Sequence, residues 1–118
     1  MEEKKIQESK DRQARKYNIT LNNPLSMIPP MTHPQIKEEI GKLGSVSYWC
    51  MADEIGLKEQ TPHTHIYLYS ASPIRFSTVK KRFPQGHIES AYGSSAENKD
   101  YILKAGKWKN TSKTETSI

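Results

Sequence analysis

The chain has 118 residues, which is enough for one compact domain and short for two. Its 18 Lys and Arg residues outnumber its 13 Asp and Glu residues, and the formal charge of +5 favours polyanionic partners without establishing one. The single cysteine, Cys50, excludes an internal disulfide and any multi-cysteine zinc site. No apolar run approaches the roughly 20 residues that cross a bilayer, so we expect a soluble intracellular protein without membrane association.

Polar ends flank a central region with regular hydrophobic periodicity. Residues 1–15 are predicted to form a flexible basic arm, residues 16–106 a folded domain, and residues 107–118 a tail or the start of a linker. KYNITLN (16–22) alternates between apolar and polar residues, which is typical of a half-buried strand. THPQIKEEIGKLG (32–44) predicts a helix with a capped first turn and a glycine after its end.

The segments after residue 44 predict the remaining strands and helices. They predict strands at 46–54 and 63–71, a short basic helix at 76–83, a strand at 86–92 and a helix at 94–104. The order β-α-β-β-α-β-α predicts an α+β fold with a ferredoxin-like, RRM-like antiparallel sheet and two helices on one face. A functional surface is expected on the other face, under the additional third helix.

Two histidines stand one residue apart in TPHTHIYLY (61–69). On a strand, His63 and His65 point to the same side, while Ile66 and Leu68 point to the helices. Both imidazoles can reach one ion between them. An HxH pair on an exposed strand is more often solvated, so the pair alone is a weak signal for a metal site.

A carboxylate strengthens this signal. Glu54 ends the preceding predicted strand, and a short hairpin returns the chain beside His63. Two histidines with one carboxylate are a common ligand set for a divalent ion that also binds water or substrate oxygens. Asp53 and Glu59 compete for this role, and strand alternation does not decide between Asp53 and Glu54. A solvated hairpin charge is the alternative for each of them.

Tyr101 and Lys104 are three residues apart in the last predicted helix, so they share a face. A tyrosine hydroxyl is a weak nucleophile at neutral pH, and a divalent ion that polarises a phosphate, with a lysine nearby, offsets that weakness. A packed ring beside a solvated charge is the more common reason for such a pair on an amphipathic helix.

Three motifs, taken together, resemble the catalytic domain of rolling-circle replication initiators, the His-hydrophobe-His (HUH) endonucleases. The resemblance is to the Rep proteins of small circular single-stranded DNA viruses and related bacterial plasmids, and it spans residues 16–106. The motifs are ITLNN (19–23), PHTHIY (62–67) and ENKDYILK (97–104), and the turn DEIG (53–56) matches the family's metal carboxylate turn.

Two positions depart from the family pattern. Thr64 stands where a hydrophobe usually separates the histidines, and Ile19 stands where the first motif usually has an aromatic residue. The second departure puts a stacking role at that position in doubt. The family's proteins often continue into a helicase domain, but the chain has no GxxxxGK stretch and resembles an excised or free-standing nuclease domain.

The resemblance implies metal-dependent nicking and joining of single-stranded DNA at a replication origin. Tyr101 would attack a phosphodiester and form a covalent 5′-phosphotyrosine. Glu54, His63 and His65 would hold Mn²⁺ or Mg²⁺, and Lys104 would stabilise negative charge. The implied partner is the single-stranded DNA of an origin stem-loop, and the implied location is the bacterial cytoplasm, or the host nucleus for a virus.

DNA contacts are expected on the open sheet face and on the basic helix. The candidates are Asn18, Thr20, Asn22, Asn23, Tyr67, Lys80, Lys81 and Arg82, with Tyr69 as a further aromatic residue. Stacking of a base on an aromatic ring contributes on the order of 1–3 kcal/mol. A solvated helix face is the more common explanation of a charge run such as residues 80–82.

Two other functions use parts of the same pattern. One is a non-catalytic single-stranded nucleic-acid-binding module of ferredoxin-like fold, which has no need of the metal ligands. The other is a zinc-dependent hydrolase that uses the same ligands with an activated water. A covalent protein–DNA adduct separates the nickase from both alternatives.

Overall fold

The computed structural model describes residues 11–55, 61–103 and 112–113. Its strands are β1 (Gln13–Asn22), β2 (Val46–Ile55), β3 (Pro62–Arg75), β4 (His87–Ser90) and β5 (Ser112–Lys113). Its helices are α1 (His33–Gly41), α2 (Phe76–Arg82) and α3 (Ser95–Leu103), and a 3₁₀ turn (Pro24–Ser26) follows β1. All strand pairs are antiparallel, in the order β4-β1-β3-β2-β5. The predicted ferredoxin-like α+β fold is confirmed.

The observed elements differ from the predicted ones mainly at their ends. β1 begins at Gln13, so residues 13–15 belong to the sheet and not to the predicted arm. β3 continues to Arg75 and leads directly into α2, because the strand stays paired with the early part of β1. The short strand β5 lies within the predicted tail. No helix in the described part of the chain is long and apolar enough to cross a membrane.

One face of the sheet carries the main core, beneath α1 and α2. The alternation of β1 places Tyr17, Ile19 and Leu21 on this face, and all three are buried. α1 begins as predicted, since the hydroxyl of Thr32 accepts a hydrogen bond from the backbone N–H of Gln35. This face therefore has a structural role.

The opposite face is only partly covered, by α3. Ile102 of this helix belongs to a second, smaller cluster of buried residues. The other members are Cys50, Ala52, Tyr67 and Ala91. The predicted capping box starts the helix, because the backbone N–H of Glu97 donates to the Ser94 hydroxyl and the N–H of Ser94 donates to the Glu97 carboxylate. The third helix thus stands against the face that carries the two histidines.

Candidate active site

Strand register brings the three predicted metal ligands together. Glu54 on β2 lies directly opposite His63 on β3, and Ala52 lies opposite His65. Residues that face each other across an antiparallel pair project from the same side of the sheet.

The ligand atoms converge on one carboxylate oxygen. Oε1 of Glu54 lies 2.8 Å from Nε2 of His65 and 3.1 Å from Nε2 of His63. The three ligand atoms lie within 4.8 Å of one another, and the Glu54 side chain is buried. Two imidazoles and a carboxylate suit a divalent ion of the first transition row or Mg²⁺. The cluster is therefore a candidate divalent-metal site.

The hydrogen bonds of His63 favour a cation at this point. Its Nδ1 lies 3.0 Å from the carbonyl oxygen of Thr61, which only accepts, so the ring donates from Nδ1. The Nε2 lone pair of that tautomer faces the carboxylate oxygen of Glu54. Two lone pairs repel at this distance, and either a proton or a metal cation between them removes the repulsion. A fixed tautomer of this kind is typical of metal-binding histidines.

The structure places Glu54, and not Asp53, beside the two histidines. Asp53 projects from the other side of β2, where its Oδ1 lies 2.9 Å from Nε2 of His33 and accepts a hydrogen bond of 2.8 Å from the Thr64 hydroxyl. Thr64, which replaces the family's hydrophobe, is buried and held by that bond. Sequence reasoning missed this His33–Asp53–Thr64 group, because the register of the hairpin is needed to find it.

Tyr101 lies on α3 with its side chain 64% exposed. It lines a cavity of about 440 Å³ together with His65 and Asn18. Oδ1 of Asn18 is buried and has no hydrogen-bond partner within the described ranges. An accessible phenol and a candidate metal ligand therefore border the same space on one face of the sheet.

The prediction that Tyr67 stacks on a base is wrong, because its ring is fully buried beneath α3. Its hydroxyl lies 3.0 Å from the hydroxyl of Ser95, in the first turn of that helix. Nearby, Nδ2 of Asn98 donates to the carbonyl oxygens of Tyr92 and Ser94. Tyr67 therefore joins the histidine-bearing strand to the helix that carries Tyr101.

Burial also makes Tyr67 a weaker candidate nucleophile than Tyr101. Burial raises the pKa of the Tyr67 phenol, and the hydrogen bond with Ser95 opposes this only in part. Tyr67 is then a poor nucleophile as well as an inaccessible one. Tyr101 is the tyrosine of this pair that a substrate can reach.

Replacing Tyr67 with phenylalanine removes the Tyr67–Ser95 hydrogen bond and little else. Because Ser95 keeps access to solvent, we expect the free energy of unfolding to fall by about 1 kcal/mol. Metal affinity should stay unchanged, since Tyr67 is not one of the candidate ligands. Urea unfolding and calorimetric titration with Mn²⁺ measure the two quantities. Unchanged stability would contradict a role for this bond in holding α3.

The basic cluster is not part of the site. α2 packs on the face opposite the histidines, through Val79 and the residue that follows the helix, Phe83. Lys80 donates to the carbonyl oxygen of Gly86, and Arg82 lies 3.4 Å from Glu39. The sheet thus separates Lys80, Lys81 and Arg82 from the candidate metal ligands, and their contact with DNA stays a prediction. Lys104 lies outside the described residues.

Asn18 and the asparagine and threonine residues of the first motif, ITLNN (19–23), differ in position. Asn18 and Thr20 lie on the histidine face, and the Thr20 hydroxyl has a long contact of 3.4 Å with Nδ1 of His65. Asn22 is exposed and lies opposite His63. Asn23 has a left-handed backbone with φ of 50°, a conformation that asparagine tolerates better than most residues. Its backbone N–H donates to the carbonyl oxygen of Pro62, so this asparagine also has a structural role.

Fold and site together define a ferredoxin-like domain with a His–His–Glu candidate metal centre and an accessible tyrosine beside it. No protein-family model matches the chain. It is 33% identical over 93 residues to the Replication-associated protein of Beak and feather disease virus, a match that covers 78% of this chain and 29% of that protein. It is 37% identical over 62 residues to the Replication-associated protein of Human associated cyclovirus 1, which covers 52% and 22% respectively.

These similarities relate the chain to viral replication-associated proteins. They confirm the resemblance to Rep proteins that the sequence motifs indicated. The chain spans less than a third of the length of the two curated relatives.

Proposed function

We propose that this chain is the nicking and joining domain of a rolling-circle replication initiator. The observation that carries the proposal is the position of Tyr101, which borders the same cavity as the metal-ligand candidate His65. Similarity to two viral replication-associated proteins supports the same function. The proposed substrate is single-stranded DNA in the stem-loop of a replication origin.

In the proposed reaction, the phenol oxygen of Tyr101 forms a bond to the phosphorus of one phosphodiester. The bond between phosphorus and the 3′-oxygen breaks, the phenol loses its proton, and the 3′-oxygen gains one. The products are a 5′-phosphotyrosine and a free 3′-hydroxyl, which can prime synthesis. Attack by a DNA 3′-hydroxyl on the phosphotyrosine reverses these steps and joins strands, so the reaction needs no nucleotide cofactor.

The candidate ligands would hold Mn²⁺ or Mg²⁺ through Glu54, His63 and His65. A bound ion would supply positive charge to the phosphate oxygens as negative charge develops on them. The contact between the Thr61 carbonyl oxygen and Nδ1 would fix the His63 ring for this role. We propose that Lys104 stabilises negative charge near the phosphate, as the motif resemblance implies.

DNA binding is proposed for the part of the open face that α3 leaves accessible. Asn18 lines the cavity that Tyr101 borders, and Asn22 is exposed beside the candidate metal ligands. Both lie on the face of His65. A helicase domain in a longer parent protein, and a location in the bacterial cytoplasm or in the host nucleus, are further proposals from the same resemblance.

The test is incubation of the chain with Mn²⁺ and a single-stranded oligonucleotide that carries the origin stem-loop of its own replicon. We expect a protein band of higher mass on a denaturing gel, which contains the 3′ part of the oligonucleotide. A non-catalytic binding module gives no such band. A zinc hydrolase cleaves the DNA and leaves the protein mass unchanged.

DNA affinity should depend strongly on salt, because phosphate contacts release counterions from the strand. We expect the logarithm of the binding constant to fall linearly with the logarithm of salt concentration, with a slope of about −0.7 for each phosphate neutralised. Fluorescence anisotropy with a labelled oligonucleotide measures the slope. An affinity that does not change with salt would contradict an electrostatic contact with the DNA backbone.

A further inference from the structure

A second cavity adjoins the metal-ligand cluster from the other side. It has a volume of about 590 Å³ and lies where β1 and β2 end and β3 begins, next to the 3₁₀ turn and the start of α1. Apolar side chains form much of its wall: Pro24, Leu25, Met31, Pro34 and Pro62. We call this space the strand-end cavity.

The candidate metal ligands divide between the two cavities. His65 lines the cavity that Tyr101 borders, while Glu54 and His63 line the strand-end cavity. The cluster therefore borders both cavities. A phosphate held at the cluster would therefore border both the cavity of Tyr101 and the strand-end cavity.

The stereochemistry of phosphoryl transfer assigns an occupant to the strand-end cavity. In an in-line displacement, the attacking oxygen and the leaving oxygen lie on opposite sides of phosphorus. Tyr101 attacks from its own cavity, so the leaving 3′-oxygen points away from it. We propose that the strand-end cavity binds the nucleoside immediately 5′ of the cleaved bond, an inference that rests on the proposed nicking function.

The walls of the cavity suit a flat nucleobase. Leu25 lines this cavity and is 69% exposed. A base that packs against Leu25 and Met31 would remove this apolar surface from water. Cavities of several hundred Å³ with mostly apolar walls and a few polar groups are typical of small-molecule sites, and a nucleoside fits that range.

The cavity is held in shape by the protein's own hydrogen bonds. The backbone N–H of Asn23 donates to the carbonyl oxygen of Pro62 at 2.7 Å, and the N–H of Met31 donates to that of Pro24 at 2.9 Å. On the inner side, Asp53 joins His33 and Thr64 through its Oδ1. A preformed site of this kind binds a base without the cost of ordering a loop.

The experiment uses the strand that nicking releases, an oligonucleotide that ends in the 3′-hydroxyl at the nick. Its end is read from the fragment lengths of the adduct reaction. Fluorescence anisotropy in the presence of Mn²⁺ compares this strand with a copy that lacks its 3′-terminal base. We expect loss of that base to weaken binding by about tenfold, because its apolar contact with Leu25 and Met31 is lost.

Two variants of the same loop locate the effect. Leu25→Ala should bind the complete strand more weakly, and loss of the terminal base should then have little further effect. Ile28→Ala is the matched control, since Ile28 is 87% exposed and borders a different groove, between α1 and α2. It should retain the tenfold dependence on the base.

Two results would overturn the assignment: equal binding of the two strands by the unmodified chain, or the same base dependence in Leu25→Ala as in Ile28→Ala. Both outcomes are distinct from failure of the proposed function. A chain that forms the covalent adduct but ignores the terminal base keeps its nicking activity and loses only this site. A chain that forms no adduct refutes the proposed function itself.

Discussion

Tyr101→Phe should abolish formation of the covalent protein–DNA adduct, with a loss of about 10³-fold or more. The substitution removes the oxygen that bonds to phosphorus and keeps the ring on α3. Since Tyr101 is mostly exposed, we expect little change in stability. A denaturing gel of the reaction with Mn²⁺ and the origin oligonucleotide measures the adduct, and anisotropy measures DNA binding, which should persist.

Tyr92→Phe is the matched control for this experiment. Tyr92 is 84% exposed and borders the same cavity as Tyr101, so both substitutions remove one accessible phenol from the same space. We expect Tyr92→Phe to form the adduct at a rate close to that of the unmodified chain. Adduct formation by Tyr101→Phe, or its loss in Tyr92→Phe alone, would move the nucleophile away from Tyr101.

The second large effect concerns the metal. His65→Ala removes one of three candidate ligands and should weaken Mn²⁺ binding by about 100-fold or more, with loss of nicking. Because His65 faces away from the main core and is partly exposed, the fold should remain. Calorimetric titration with Mn²⁺ measures the affinity, and circular dichroism measures the fold.

His87→Ala serves as the control for His65→Ala. His87 lies on β4 opposite Thr20, on the same face of the sheet, but it pairs with Glu89 and not with the cluster. Its replacement should leave Mn²⁺ affinity unchanged. If His65→Ala binds Mn²⁺ as tightly as the unmodified chain, the cluster is not the metal site. If it unfolds instead, His65 has a packing role.

Local sequence patterns were sufficient to predict most of the elements. The alternation in residues 16–22 identified β1 and its buried face, and the spacing of Ser94 and Glu97 identified the start of α3. Such patterns depend on side-chain periodicity and on hydrogen bonds between residues three apart, which act within a short segment. The start of β1 at Gln13 was not predicted, because polar residues there pair with the distant end of β3.

Residue type alone was a poorer guide to the surface. Tyr67 shares its strand face with His63 and His65, and the sequence therefore indicated an accessible ring. The packing of α3 on that face buries the ring. Lys80 and Arg82 likewise suggested contacts with phosphates, but they lie across the sheet and bind Gly86 and Glu39. For Tyr67 and Arg82 the deciding neighbour is far away in the chain.

The sequence by itself determined the order of strands and helices, the two faces of β1 and β3, and the presence of two histidines on one face with a carboxylate near them. The tertiary structure decided that Glu54 completes the cluster while Asp53 faces His33, and that Tyr101 shares a cavity with His65. The physical reason is that strand register and helix docking are set by contacts between distant segments. A shift of one residue in the β2–β3 register would exchange Glu54 and Asp53 between the two faces.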